Sequence, residues 1–396
     1  MKHLIKSKSI IVMMILLTGS FGCNEEFLDV KPKGTLSSSN LATEAGVNGV
    51  LIGAYSLLNN GGTSGGSWPS GRWIFGGVTS DDAHTGTEAG ALQPVPQYES
   101  YTATAATPVL YSSVQRSNDV LRLLELVMEN GGMSQDKALQ VEAEARFLRG
   151  LYHLEASLMW RNIPFIDESV SFSNGNFNLP NSGPVWPSIE ADFQFAAENL
   201  NEVKSDVGRA NKWAAKAFLV KAHMFQHKYT EAKPILDDII ANGVTSNGLK
   251  YDLNKHYFDN FKPSTKHGPE QVFAIMHSVN DGGNGANGNT AGGEGHSGPY
   301  GGPFPSYGFY QPSFSLVNSY KTDPETGLPL IDSFNDFDIN NDLGIPSSEP
   351  FSPYEGTLDA RLDWIVGRRG IPFLDWGVNP GMSWVRQQSV GGSWKS

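Results

Sequence analysis

Two glycine-rich stretches of the sequence contain side chains suited to holding a polar ligand. Tyrosine and tryptophan offer flat apolar rings with a polar tip, and carboxylates accept hydroxyl hydrogens. Rings beside a few fixed polar groups are typical of binding sites for sugars or peptides. The residues that we predict to contact ligand on this basis are Trp68, Arg72, Trp73, Asp81, Asp82, His84, Tyr300, Tyr307 and Tyr310. The alternative is that these aromatic rings only pack an irregular region onto its neighbours.

Three other spacings resemble nucleotide or metal sites but lack necessary parts. Residues 283–288 have the spacing GxGxxG, yet more glycines follow where a dinucleotide site needs a helix. His223 and His227 are spaced as in zinc proteases, but methionine replaces the glutamate that should follow the first histidine. Asp336, Asp338 and Asn340 repeat at the alternate spacing of an EF-hand loop, but asparagine replaces its glycine and serine its final glutamate. We therefore predict no cofactor and no metal, and calcium binding stays an open alternative.

Paired carboxylates raise the question of a glycoside hydrolase. Glu142 and Glu144 are two residues apart in a predicted helix, so their side chains point in different directions. Glu142 and Arg146 are spaced as an i,i+4 ion pair, and Glu155 is the third carboxylate of this helix. We predict structural ion pairing and no enzymatic activity.

The charge balance argues against nucleic acid as a partner. The 396 residues include 29 Lys+Arg and 41 Asp+Glu, which gives a formal net charge of −12. A net charge of that sign repels phosphate backbones and anionic lipid head groups.

The N-terminus has the pattern of an exported lipoprotein. Three lysines precede the apolar run 10–17, and small residues then lead to Cys23, so residues 1–22 are predicted to be a signal peptide. The apolar run is too short to cross a bilayer as a helix. Cys23 is the only cysteine, which excludes an internal disulfide and favours lipidation. Residues 24–26 (Asn-Glu-Glu) resemble the acidic tag that directs some lipoproteins to the outer face.

Helical periodicity dominates residues 107–243. Thr107-Pro108 begins one helix and residues 130–132 (Asn-Gly-Gly) end it. The next helix starts near Ser134 and has two apolar stripes, which predicts that it lies between neighbouring helices. A third opens at Trp186, and residues 210–243 predict a helical hairpin with a turn at 227–229 and Leu236 on its buried side. The hairpin has the length of one tetratricopeptide repeat, so we expect these helices to stack.

The later part of the chain has a different pattern. Residues 271–278 (Gln-Val-Phe-Ala-Ile-Met-His-Ser) predict a short strand, and a Gly- and Asn-rich run occupies 281–302. We expect a second lobe made mostly of loops carried on the helical frame.

Several short motifs, in order, carry a family resemblance from Cys23 nearly to the end. They are residues 27–29 (Phe-Leu-Asp), 118–121 (Asn-Asp-Val-Leu), 142–149 (Glu-Ala-Glu-Ala-Arg-Phe-Leu-Arg), 162–164 (Asn-Ile-Pro), 213–217 (Trp-Ala-Ala-Lys-Ala), 311–312 (Gln-Pro), 320–323 (Tyr-Lys-Thr-Asp) and 359–362 (Asp-Ala-Arg-Leu). In this order the motifs resemble those of the SusD/RagB family of outer-membrane nutrient-binding lipoproteins. Ala360 stands where the family usually has proline.

The resemblance implies a fold, a function and partners. The implied fold is α-rich, with tetratricopeptide-like helical hairpins as a scaffold and a loop-rich irregular lobe. We expect residues 23–262 to form the helical domain and 263–396 a C-terminal domain truncated before its last helix. The implied function is the binding of a glycan at the cell surface and its delivery to a SusC-like TonB-dependent transporter. Peptide capture, and a scaffold that binds no ligand, remain alternatives.

Overall fold

The computed structural model describes residues 38–58, 76–77, 79–84, 107–172, 175, 178–181, 183–275, 301–303 and 310–384. Its helices are α1 (Ser38–Leu41), α2 (Glu44–Ser56), α3 (Thr107–Glu129), α4 (Gln135–Trp160), α5 (Trp186–Asn199), α6 (Lys212–Phe225), α7 (Tyr229–Asn242), α8 (Phe314–Asn318) and α9 (Leu362–Ile365). Two short strands, β1 (Ala83–His84) and β2 (Gln311–Pro312), pair antiparallel, with Ala83 opposite Pro312. The α-rich fold predicted from the sequence is confirmed.

Helices α2 to α7 form the scaffold, and each packs against the next along the chain. Helix α4 also contacts α2, and most of its residues are buried, as its two apolar stripes predict. The main core is continuous from α2 to α6 and includes Leu110, Phe147, Tyr152 and Phe193. Helix α7 packs through a smaller cluster, in which its Ala232 and Ile239 meet Trp213 and Val220 of α6. Consecutive packing of helical hairpins is the arrangement of a tetratricopeptide-like stack.

The helix ends near residues 131 and 134 lie where the sequence predicts them. Gly131 has a φ of 65°, and Gly132 donates to Val127 O at 2.9 Å, so the glycines close the C-terminus of α3. Ser134 occupies the N-cap position of α4, but its side chain makes no capping bond. In the hairpin turn, His227 takes the left-handed conformation with a φ of 58°, and its Nδ1 lies 2.8 Å from the Tyr229 hydroxyl.

Two sequence-based expectations are wrong. Residues 271–275, the described part of the predicted strand 271–278, form no strand. Phe273 packs instead against the helical core, so this segment is held by side-chain burial rather than by strand pairing. Leu236 is 38% exposed, because the packing of α7 on α6 buries the stripe that includes Ala232 and Ile239.

The three helical carboxylates are held in ion pairs. Glu142 pairs with Arg146 at 2.9 Å, as predicted, and Glu155 lies 3.5 Å from Lys221 Nζ. Glu144 is buried and lies 2.7 Å from Lys204 Nζ, as in a structural ion pair. These contacts neutralise the carboxylates within the scaffold, which is the structural role that the sequence predicts for them.

Buried His153 is held neutral within the scaffold. Ile166 N donates to its Nε2 at 3.1 Å, so the proton lies on Nδ1, which faces Arg149 O at 3.0 Å. The imidazole stacks on Phe165 with ring centroids 4.3 Å apart. Burial, reinforced by the positive charge of Arg149, lowers the pKa of His153 to about 3.

This histidine predicts a loss of stability in acid. Between the ordinary histidine pKa and about 3, the unfolded chain binds a proton that the folded chain does not. The contribution of His153 to stability is complete above the ordinary pKa, and it falls by up to about 1.4 kcal/mol per pH unit as the pH decreases. Urea unfolding of His153→Gln between pH 7 and pH 4 should show a shallower dependence on pH than the wild type. Phe193→Leu, which adds no titrating group, should lower stability while keeping the wild-type slope.

Candidate functional site

The paired strands β1 and β2 bring together two of the predicted ligand-binding stretches. Ser313 N–H donates to Asp82 O at 2.8 Å, and the Ser313 hydroxyl donates to Asp81 O. The same hydroxyl accepts from Leu316 N at 3.0 Å and caps α8. The loop that carries the two aspartates is therefore fixed to a segment more than two hundred residues later in the chain.

Polar side chains of the first segment point outward at this junction. Asp81, Asp82 and His84 are exposed, whereas Ala83 between them is buried. The Ser80 hydroxyl donates to Gly77 O at 3.0 Å and accepts from Asp82 N at 3.2 Å, which holds the turn that presents the aspartates. Alternation along an extended segment thus places two of the predicted contacts, Asp82 and His84, on its solvent side.

Tyr310 covers the inner side of the same turn. A side chain at Gly77 would collide with the hydroxyl and ring of Tyr310, so this close approach requires glycine. Burial raises the pKa of Tyr310, and the negative charge of Asp82 adds to the effect. The phenol stays protonated at neutral pH and retains a hydroxyl donor near the Asp82 carboxylate.

A group of residues that sequence reasoning did not select as ligand contacts adjoins this turn. Burial raises the pKa of Tyr320, and the charges of Tyr257, Asp359 and Asp82 raise it further. Arg361 opposes that effect and pairs with Asp359, with Nε 2.9 Å from Oδ1. Tyr320, Asp359 and Arg361 lie in the motifs 320–323 and 359–362. Membership of these motifs was the sequence signal that could have identified them.

An aromatic pair joins α9 to a short 3-10 helix (Tyr257–Asn260) that lies much earlier in the chain. Phe258 stacks on Trp364 with centroids 4.8 Å apart and planes at 16°. Lys262 Nζ lies 5.1 Å from the Phe258 centroid. Trp364 is 37% exposed and keeps part of its ring available to solvent.

The other predicted contacts lie outside the described residues. They are Trp68, Arg72, Trp73, Tyr300 and Tyr307, and the lipidation residue Cys23 also lies outside them. Of the nine predicted contacts, the structure thus places Asp81, Asp82, His84 and Tyr310, and it brings these four to one junction.

Acidic and histidine side chains in the described part of the chain form no metal-binding group. No set of three or more His, Cys, Asp or Glu side chains is arranged to hold an ion there. In the EF-hand-like loop, Asp338 Oδ1 accepts from Asn318 Nδ2 at 2.8 Å, and Ile339 N donates to Asn318 Oδ1 at 3.0 Å. That aspartate therefore ties the loop to α8. His223 lies 3.9 Å from Glu190, and no third ligand accompanies them in these residues.

Residues 26–224 match a family described as "Starch-binding associating with outer membrane", the SusD-like family. The chain belongs to the SusD-like family. It is 25% identical over 282 residues to a SusD-like protein of Formosa agariphila, and 24% identical over 302 residues to one of Bacteroides ovatus. These alignments cover 68% and 70% of this chain but 52% and 50% of those proteins, so the chain spans about half the length of these relatives.

Solved SusD-like structures share the fold. A laminarin-binding SusD-like protein aligns with a TM-score of 0.59 and 22% identity, over 80% of this chain and 70% of its own. Surface glycan-binding protein A from Bacteroides thetaiotaomicron, in complex with laminarihexaose, aligns with a TM-score of 0.57 and 19% identity, over 70% of this chain and 61% of its own. In the described part of this SusD-like chain, no helix is both long and apolar enough to cross a membrane.

Proposed function

We propose that this SusD-like protein binds oligosaccharides at the bacterial cell surface and passes them to a TonB-dependent transporter in the outer membrane. The observation that carries the proposal is the junction at which Asp81, Asp82 and His84 meet Tyr310 in a member of a starch-binding family. Laminarin-binding proteins among the structural neighbours favour a glucan as the first ligand to test.

The chemistry of the junction suits a neutral polyhydroxyl ligand. Exposed Asp81 and Asp82 offer carboxylate oxygens to sugar hydroxyls, and Tyr310 offers a protonated phenol. A sugar also needs an apolar surface for its C–H face. We propose that the rings which supply it are Trp68, Trp73, Tyr300 and Tyr307, with Arg72 as a further donor.

Attachment and delivery complete the proposal. Removal of residues 1–22 would expose Cys23 for acylation, and acyl chains would hold the protein on the outer membrane. Residues 23–262 would then carry the helical scaffold and residues 263–396 the loop-rich lobe. Copurification of a SusC-like transporter with the lipidated protein from outer membranes tests the delivery step.

Two alternatives predict different results with soluble protein that begins at Asn24. Peptide capture predicts that the protein binds added peptides and no added glycan. A scaffold without a ligand predicts that it binds neither class. We further propose that the protein is not an enzyme, so incubation with glycans should release no new reducing ends.

Removing one carboxylate at the junction should weaken glycan binding. We expect Asp82→Ala to raise the Kd for the bound glycan by about 10- to 100-fold, because a hydrogen bond to a charged group is lost. Calorimetry against laminarin, starch, xylan and mannan measures the effect. The matched control is Asp332→Ala, since Asp332 is also an exposed aspartate and lies outside the junction.

An unchanged Kd in Asp82→Ala would contradict this assignment of the site. Trp68→Ala then distinguishes the remaining cases, because it should also weaken binding if Trp68 contributes to the same site. A well-folded wild type that titrates with no glycan would contradict the proposed function itself.

A further inference from the structure

Direct contacts connect α9 to the junction of β1 and β2. Ser313 bonds to Asp82 O and caps α8, and Leu362 of α9 lies in one buried cluster with α8. Beyond α8, Tyr320 O accepts from Asp359 N at 2.8 Å, two residues before Arg361. Helix α8 has five residues and therefore spans about 8 Å. It joins the two surfaces and separates them by about its own length.

Arg361 presents free donors at the start of α9. Its side chain is 58% exposed, and its described hydrogen bonds run from Nε and Nη2 to the carboxylate of Asp359. No described residue accepts from Nη1. The bonds to Asp359 fix the plane of the guanidinium, so Nη1 is positioned to donate to a ligand.

Trp364 lies beside this guanidinium and offers a flat apolar surface. Trp364 N donates to Arg361 O at 3.1 Å, and side chains three residues apart on a helix are neighbours. Phe258 stacks on one face of the indole, with centroids 4.8 Å apart. Trp364 is 37% exposed, so its accessible surface lies on the opposite face and the ring edges.

The charges around these two residues select an uncharged ligand. Arg361 is already paired with Asp359. A second cation near the rings, Lys262, is paired with Asp259 at 2.9 Å. The exposed carboxylates at residues 81–82 then leave a negative balance across the described surface, which repels uronic acids and acidic peptides.

A neutral sugar matches the groups that are present. Its C–H face can cover an indole, and its hydroxyls can both accept from a guanidinium and donate to a carboxylate. We propose that Arg361 and Trp364 form a further subsite next to the junction, so that one neutral glycan chain contacts both. The inference rests on the proposed function, because it extends the same site. It implies that affinity rises with chain length, since a short fragment at the junction would not reach across α8.

Calorimetry with laminarihexaose and laminaribiose tests the subsite, and the matching oligosaccharides of another glycan are used if that glycan binds instead. Trp364→Leu should raise the Kd for the hexasaccharide by about 10-fold, because stacking on the ring is lost. It should leave the Kd for the disaccharide unchanged. Trp364→Tyr keeps a flat ring and should restore most of the affinity. Arg361→Lys, which lacks the planar fork, should weaken hexasaccharide binding in the same direction.

Trp160→Leu is the matched control. Trp160 is 36% exposed, ends α4 and lies outside the site, so this variant should bind both oligosaccharides as the wild type does. Asp82→Ala, which acts at the junction, should weaken the binding of both lengths.

Hydrogen exchange gives an independent readout, and it decides the case if disaccharide binding is too weak for calorimetry. The hexasaccharide should slow exchange in peptides that cover residues 79–84 and 361–366, whereas the disaccharide should protect 79–84 alone. Protection of the junction alone by the hexasaccharide would overturn the subsite while leaving the proposed function intact. Equal weakening of both lengths by Trp364→Leu, or no rescue by Trp364→Tyr, would also overturn it.

Two further outcomes concern the class of ligand. Binding of an oligogalacturonate more tightly than any neutral chain would contradict the assignment of an uncharged ligand. Absence of binding to every glycan by folded wild type would reject the proposed function together with the subsite, so the two failures are distinguishable.

Discussion

Arg149→Met is expected to lower the free energy of unfolding by about 3–5 kcal/mol, since it removes one partner of a buried ion pair. Arg149 extends from α4 and donates to both oxygens of Asp192 on α5, from Nε at 2.8 Å and from Nη2 at 2.7 Å. Its Nη1 also donates to Asn118 on α3 at 3.2 Å and to Glu168. One guanidinium thus joins three helices and the connection that follows α4.

The electrostatics explain the size of the expected loss. The Arg149 side chain is 5% exposed and that of Asp192 is 3% exposed, so neither charge is well solvated. Burial opposes the charge of Arg149, but the carboxylates of Asp192 and Glu168 outweigh it and raise the arginine pKa. Without the arginine, Asp192 would keep its desolvation cost and lose its counter-ion.

Urea unfolding followed by circular dichroism measures the loss. The control is Arg146→Met on the same helix, because Arg146 pairs with Glu142 at 2.9 Å near the surface and should contribute about 1 kcal/mol. The double variant Arg149→Met/Asp192→Leu should regain a large part of the stability, since an apolar pair can replace a buried ion pair. An Arg149→Met effect no larger than that of Arg146→Met would show that the network contributes little.

The helical scaffold follows from local sequence signals, which is why it was predictable. Periodic apolar residues indicate α3 to α6 because each of these helices buries a regular stripe against its neighbours. Gly131 and Gly132 mark the end of α3, the first by its positive φ and the second by its hydrogen bond to Val127 O. On α7 the same periodicity wrongly predicts burial of Leu236, which is 38% exposed among the described residues.

The junction of β1 and β2 could not be predicted in the same way. Each strand has two residues, too few to show an alternating pattern, and the partners are separated by more than two hundred residues. Composition selected Asp82 and Tyr310 as separate candidates, but only the structure shows that they adjoin. The strand prediction for residues 271–275 is wrong for a related reason. A β-like composition also suits an irregular segment whose Phe273 packs into an aromatic core.

That aromatic core gives the second large expected effect. Phe147→Ala should lower the free energy of unfolding by about 3–5 kcal/mol, because it opens a cavity at the centre of the scaffold. Phe147 is fully buried, and its ring meets Phe193, Phe218 and Phe273 with centroids 5.8, 5.3 and 5.2 Å apart. The three contacts are edge-on, a geometry that adds to the stabilisation from burial.

Phe273→Ala separates the contribution of the segment from that of the core. Phe273 is only half-buried, so its loss should cost less global stability while releasing residues 271–275 from α4 and α6. Hydrogen exchange should therefore quicken in that segment alone in Phe273→Ala, and across α4, α5 and α6 in Phe147→Ala. Equal and local effects of the two variants would contradict the assignment of Phe147 as the centre. They would mean that the scaffold repacks around the missing ring, as cores do when a site can collapse.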